Sequence, residues 1–299
     1  MNYQHLCTQV CALAKETGAF IREEAKRFKT STIEVKGHNN FVSYVDKTSE
    51  QKLVTALSAL LPEAGFIAEE GTSDKKGERY NWIIDPLDGT TNFIHGYPCY
   101  AISIALVASP TPPKEGLPDT LSVEGKREGK AFSFGEGGVR LGVIYEINQD
   151  ECFYAWKDSD AYMNGNKINV SSTPTLKDSL LGTGFPYYDY GKMDEYLKLF
   201  RHFMQHSHGL RRPGSAATDL AYLACGRFDG FYEYSLAPWD VAAGAFLVER
   251  AGGKVADFSG GDNYLFGKEI VAGNAHVFQE LQETVKRFMA PPPPPEGWI

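Results

Sequence analysis

The chain has 299 residues, 42% hydrophobic and 23% charged, with a formal net charge of −8 and a pI near 5.5. That is enough for a globular protein with a substantial core, and the acidic balance argues against a protein whose main task is to grip nucleic acid. No stretch is apolar for long enough to span a membrane, and the N-terminus lacks the basic-then-apolar pattern of a secretory signal. The five cysteines, odd in number and without a C-x-x-C, read as reduced thiols, so a cytoplasmic location is expected.

The elements follow in chain order. Apolar positions at helical spacing (Leu6, Val10, Leu13, Ala14, Ile21, Ala25, Phe28) predict a helix over 3–28. Cys7 and Cys11 lie one turn apart on it; core packing is the expected role, ahead of a soft-metal site. A short strand is expected over 32–35. A second helix is expected from about Asp46 to Leu61, stopped by Pro62. Gly65–Ala68 reads as a buried strand delivering Glu69 and Glu70, and Trp82–Ile84 as another delivering Asp85. Further strands are expected at Cys99–Val107, then a hairpin of Leu141–Ile147 and Cys152–Trp156 around Asn148-Gln149-Asp150. Helices are expected at 192–206 and 215–225, and Gly230–Tyr234 is a strand. Asp240 opens a helix that runs to about Arg250 and is halted by Gly252-Gly253. Strands near 254–257 and 269–272 and a helix near 275–288 complete a mixed α/β or α+β layered domain over residues 1–288.

Two segments stand apart. Residues 109–140 are rich in proline and glycine and read as an extended insertion between strands. The tail 289–299 carries five consecutive prolines, which favour polyproline II. His202, His206 and His208 cluster near a helix end. Positive charge at a helix C-terminus is favoured over a metal site there.

The densest chemistry lies in Trp82-Ile83-Ile84-Asp85-Pro86-Leu87-Asp88-Gly89-Thr90-Thr91-Asn92-Phe93. Two carboxylates follow an apolar strand, and a Gly-Thr-Thr turn follows them. Carboxylates hold hard divalent cations, and backbone N–H groups at a helix start hold phosphate. One loop therefore carries both halves of a metal-dependent phosphoryl-transfer site. Singly, each acid has an ordinary reading: Asp240 and Asp46 as helix caps, Glu69 and Glu70 as solvated loop residues, Asp85-Pro86 as a turn. A carboxylate at the end of an apolar strand recurs, however, and active sites favour strand ends.

Asp85-Pro86-Leu87-Asp88-Gly89-Thr90-Thr91-Asn92 resembles the first signature of the inositol monophosphatase family. Trp239-Asp240-Val241-Ala242-Ala243-Gly244, with Glu249, Ala251, Gly252 and Gly253, resembles its C-terminal signature. Phe66–Glu70 is similar to its G-E-E strand end. Arg211–Ala217 is similar to R-x-x-G-[ST]-A-A, and Ala161–Gly165 to A-[FY]-x-N-G. The matches occur in family order over about residues 1–288.

The resemblance implies an α+β fold, an αβαβα layered sandwich, usually a homodimer, and hydrolysis of a phosphate monoester with two or three Mg2+ ions. Carried over by residue, Glu69, Asp85 and the Leu87 carbonyl hold the first metal. Asp85, Asp88 and Asp240 hold the second, and Glu69 also faces a third. Glu69 and Thr90 orient and deprotonate the attacking water, with Asp46 bonded to Thr90. The N–H groups of Gly89 and Thr90 hold the phosphate. Glu233, Gly214, Ser215 and Ala216 line the substrate pocket, and Lys36 matches a family lysine near the metals. The expected substrate is myo-inositol 1-phosphate; histidinol phosphate, 3'-phosphoadenosine 5'-phosphate, and a binding role in a transcription complex are alternatives. Two departures stand out. Asn40 and Ser43 replace the first acid and the threonine of the family's D-x-V-T-x-x-D segment. Ala237 stands where relatives are often basic.

Overall fold

The computed structural model describes residues 1–28, 34–37, 40–108, 138–187 and 189–289, with the backbone alone for 34–37 and 40–42. In chain order these form α1 (Tyr3–Ala25), β1 (Glu34–Gly37), β2 (Asn40–Val42), α2 (Tyr44–Leu60), β3 (Gly65–Ala68), β4 (Tyr80–Asp88), α3 (Thr90–Ile94) and β5 (Ala101–Ala108). There follow β6 (Gly138–Glu146), β7 (Glu151–Trp156), β8 (Ala161–Met163), β9 (Asn166–Ile168), β10 (Leu180–Thr183), α4 (Met193–His206) and β11 (Gly209–Arg211). The chain closes with α5 (Ala216–Ala224), β12 (Gly230–Tyr234), α6 (Pro238–Arg250), β13 (Lys254–Ala256), β14 (Glu269–Gly273) and α7 (Phe278–Met289).

Two main sheets stack between helices. The larger has seven strands in the order β3-β4-β5-β6-β7-β8-β9, antiparallel except for the parallel β3–β4 pair. The smaller has five in the order β11-β10-β12-β14-β13. Helices α1 and α2 cover one face of the larger sheet. Helices α5 and α6 lie between the two sheets, and α7 with its neighbour α4 covers the far face of the smaller one. This is the αβαβα sandwich expected, an α+β fold.

The side-chain period of a strand explains the layering. Along β5, Ile102, Ile104 and Leu106 enter the core under α1 and α2, while Ala101, Ala105 and Val107 enter the core under α5 and α6. Small residues on the second face let α6 come close. At Gly142 in β6 an added Cβ would stand 3.1 Å from the Ala243 carbonyl oxygen. A third core, with Leu181, Tyr196, Phe203, Tyr232 and Leu281, joins the smaller sheet to α4 and α7.

Most expected elements recur with shifted ends. α1 stops at Ala25 rather than Phe28, and α7 begins at Phe278 because Asn274 Oδ1 accepts the His276 and Val277 N–H groups ahead of it. The A-Y-M-N-G turn is the tip of the β8–β9 hairpin, with Asn164 and Gly165 at positive φ. Residues 138–140 of the expected insertion belong to β6; 109–137 lie outside the described residues, as do 290–299 of the proline tail. Cys7, Cys11 and Cys152 gather where α1 meets β7, the first and last of them buried, in keeping with core packing. His206 ends α4, with its ring stacked on that of His202.

Candidate active site

Asp85 and Asp88 are three residues apart, and in an unbroken strand they would point to opposite faces. A bulge in β4 prevents this. Asp85 sits opposite Ser103 and Asp88 opposite Ala101, so three steps on β4 match two on β5. The extra residue returns Asp88 to the face that Asp85 occupies, the use to which bulges beside functional sites are often put. Pro86, inside the bulge, has no N–H to lose from the ladder. Both carboxylates therefore face α5 and α6, the side on which Ala101 packs.

The first turn of α6 supplies the third acid. Pro238 starts the helix and Asp240 caps it, one oxygen accepting the Ala237 N–H at 2.7 Å. Ser103 Oγ donates to the Trp239 carbonyl at 2.9 Å, tying that turn to β5. Carboxylate oxygens of Asp85, Asp88 and Asp240 lie within 4.8 Å of one another. Glu69 follows β3 into the same cleft, held where its N–H reaches the Ile84 carbonyl. Its neighbour loop is pinned by buried Glu50 of α2, which accepts the Glu70 and Thr72 N–H groups at 2.7 Å each.

Asp46 satisfies its ordinary and its functional reading together. It is the third residue of α2, and its Oδ2 accepts the Ser43 N–H at 2.9 Å and the Ser43 hydroxyl at 2.5 Å. The serine that departs from the family pattern thus supplies a cap. Asp46 Oδ1 accepts the Thr90 hydroxyl at 2.9 Å, and the Leu87 carbonyl lies 3.1 Å from that hydroxyl. Thr90 has one proton for two acceptors. When it points to Asp46, the Leu87 carbonyl is left as a free oxygen donor.

Gly89, at φ 95°, turns the chain from β4 into α3; an added Cβ would come within 3.0 Å of the Cys99 carbonyl oxygen. Asn92 of α3 donates through Nδ2 to the carbonyls of Cys99, Pro213 and Gly214, drawing the 212–215 loop over the site. Ser215 caps α5, and its hydroxyl and the Ala217 N–H both donate to Asp88 Oδ2 at 2.7 Å. Glu233 of β12 closes the cleft. An added Cβ on Gly184 would stand within 1.8 Å of its Oε1, so the glycine makes room for that carboxyl.

The result is a cleft of about 260 Å³ lined by Glu69, Asp85, Leu87, Asp88, Gly89, Thr90, Gly214, Ser215, Ala216, Glu233 and Asp240. Every expected metal-ligating and substrate-binding residue lies on it, with Asp46 behind Thr90. Lys36 has no described side chain. Sequence reasoning missed Phe185, Tyr187, Arg212 and Trp239, which also line the cleft. Only Trp239 and Arg212 lay inside recognised motifs, Arg212 at an unspecified position. It also missed Asp219 of α5, a buried acid with no hydrogen-bond partner on either oxygen.

Burial and mutual repulsion push these acids upward. Withdrawal from water, then the charges of Asp240, Glu70 and Asp46, hold the Glu69 carboxyl well above the usual range. Burial and then Glu69, Asp88 and Asp240 do the same to Asp85. Burial takes Asp88 to about 6, against the pull of Ser215, Ala217 and Arg212. Burial followed by Asp88 raises Asp240, and burial takes Glu233 to about 8. Acids crowded at such cost call for cations. An all-oxygen donor set with a backbone carbonyl beside it fits a hard divalent ion rather than zinc.

The inositol monophosphatase family model matches residues 2–113 and 133–288. Its interruption falls inside the proline- and glycine-rich stretch. The chain is 37% identical to the Nus factor SuhB of Pseudomonas aeruginosa over 283 residues, covering 93% of this chain and 94% of that one. It is 37% identical to the inositol-1-monophosphatase of Rhizobium meliloti over 256 residues, covering 85% and 86%. The crystal structure of the extragenic suppressor protein suhB from Bartonella henselae superposes with a TM-score of 0.80 at 34% identity, covering 95% of this chain and 99% of that one. The bulged Asp85–Asp88 strand, the Asp240 turn and the Thr90–Asp46 bond thus sit in a chain that belongs to the inositol monophosphatase family, a family of metal-dependent phosphatases.

Proposed function

We propose that this protein hydrolyses a small phosphate monoester with Mg2+, and that myo-inositol 1-phosphate is its first candidate substrate. The carrying observation is the convergence of Asp85, Asp88 and Asp240 oxygens within 4.8 Å of one another at the bulged strand end. Glu69, Asp85 and the Leu87 carbonyl would hold one Mg2+, Asp85, Asp88 and Asp240 a second, and Glu69 a third. Bound there, Mg2+ supplies a water of lowered pKa and neutralises charge on the phosphate and the leaving oxygen.

The chain's own groups do the rest. Asp46 holds the Thr90 hydroxyl, and Thr90 with Glu69 orients the attacking water and accepts its proton. The N–H groups of Gly89 and Thr90, free of intrahelical partners at the start of α3, hold the phosphate oxygens. Water oxygen bonds to phosphorus, the phosphorus–alcohol bond breaks, and a proton ends on the released alcohol. Glu233, Gly214, Ser215 and Ala216 bind that alcohol. The working form we propose is a cytoplasmic homodimer with no membrane-spanning helix; among the described residues no helix is long and apolar enough for one.

The test is phosphate release from inositol 1-phosphate, 2'-AMP, histidinol phosphate, glycerol 2-phosphate and 3'-phosphoadenosine 5'-phosphate, with and without Mg2+. Asp85→Asn serves as control. Mg2+-dependent turnover that Asp85→Asn abolishes is expected, and the ranking names the substrate. A second reading, a binding role in a transcription complex, is favoured by the resemblance to a protein named Nus factor. A folded, Mg2+-binding chain that releases phosphate from none of these would shift the conclusion to that reading.

A further inference from the structure

Arg212 carries an open assignment. Among the described residues lining the cleft it alone is a Lys or Arg, since Ala237 adds no charge at the other lip. Its guanidinium carbon lies 5.3 Å from the Phe185 ring centroid and 5.4 Å from that of Tyr187. Its Nη2 donates to the Tyr187 hydroxyl at 2.6 Å. The Gly214 backbone presses from a third side; an added Cβ there would stand 2.8 Å from Nη1.

The rings of Phe185 and Tyr187, the Tyr187 hydroxyl and Gly214 at φ 93° therefore fix the position of this cation. Yet it is not paired. Among the described residues no carboxylate oxygen lies within 4.0 Å of it. Its Nε is buried without a hydrogen-bond partner. A guanidinium offers five N–H donors in a planar fork, and an arginine held this firmly with donors to spare is suited to an anion taken in two-point fashion. Its field reaches Asp88, Asp219 and Glu233. That places it on the side of the cleft where the substrate's alcohol lies, not beside Glu69.

We propose that Arg212 selects substrates whose leaving alcohol carries a second anionic group, a phosphate or a carboxylate. The inference rests on the phosphatase reading above but not on inositol 1-phosphate as the substrate, whose neutral alcohol it ranks below an acidic one. It predicts that a neutral polyol phosphate is a poorer substrate than its acidic counterpart, because only the latter pairs the guanidinium.

Two matched pairs test this by kcat/KM for phosphate release. Fructose 1-phosphate against fructose 1,6-bisphosphate adds a phosphate; glycerol 2-phosphate against 2-phosphoglycerate replaces a hydroxymethyl by a carboxylate. Each is run on the wild type, Arg212→Gln and Arg212→Lys, with folding checked by circular dichroism. The expected result is that the acidic-to-neutral ratio falls about tenfold or more in Arg212→Gln, the scale of one charge-assisted contact. Arg212→Lys, which keeps the charge but loses the fork, should fall between. The pair that responds names the anion. Ratios unchanged by either variant, with turnover intact, would overturn the inference and leave the phosphatase reading standing. No Mg2+-dependent release by the wild type from any of the four compounds would overturn the inference; only if inositol 1-phosphate and the rest of the earlier panel also release nothing does the phosphatase reading fall with it.

Discussion

Replacing Asp88 by asparagine isolates the energetic tension of the carboxylate cluster. Burial raises the Asp88 carboxyl from 3.8 to about 6. A carboxyl that titrates higher in the folded chain takes up a proton on folding. Its stabilising contribution is therefore complete below about pH 4 and is lost as pH rises through about 6. Two units at about 1.4 kcal/mol each amount to about 3 kcal/mol in full, about half of it between pH 5 and pH 7.5. Asparagine keeps an oxygen to accept from the Ser215 hydroxyl and the Ala217 N–H but has no charge to lose or gain. Urea unfolding in EDTA at about pH 5 and about pH 7.5 should show the wild type losing more stability than Asp88→Asn by about 1 kcal/mol. Mg2+ at about a hundred times its Kd should then return about 3 kcal/mol to the wild type at the higher pH, and less to the variant. Equal pH dependence in the two proteins would refute the claim that burial raises the Asp88 carboxyl on folding. Equal stabilisation by Mg2+ would refute its place among the metal ligands.

Other expectations follow from the same contacts. Thr90→Val removes the hydroxyl shared by Asp46 and the Leu87 carbonyl; kcat should fall about a hundredfold or more, with Thr90→Ser recovering most of it, in steady-state phosphate release. Gly142→Ala puts a methyl against the Ala243 backbone and Phe246, and urea denaturation should register a loss of about 1–3 kcal/mol. Gly184→Ala drives a methyl into the Glu233 carboxyl. It should raise KM for inositol phosphate more than it lowers kcat, and a change confined to kcat would argue against Glu233 as an alcohol contact.

The residues of the candidate site were legible before any fold was known. A carboxylate after an apolar run, a glycine before paired threonines, and an acid in the first turn of a helix each have an ordinary reading alone; their recurrence and their match to the family's signatures singled them out. The helices read well for a similar reason: α4 and α5 were placed within about a residue, since their apolar faces repeat with the helical period. The αβαβα sandwich entered through resemblance to the family, not through periodicity. The short strands β8, β9, β10 and β11 escaped, though β3 and β13, no longer than these, were read; three or four residues give too little pattern to decide. Three physical arrangements became visible only in the tertiary structure. The register of β4 against β5 turned Asp88 onto the face of Asp85, which no spacing along one strand can reveal. The Asp46–Thr90 bond, expected from the family resemblance but from no local pattern, is made because α2 packs beside the bulge. Arg212, an unmarked position in its motif, became the cleft's cation because two aromatic residues from another loop hold it there. Local patterns specify what a residue offers; only the packing of distant segments determines what it faces.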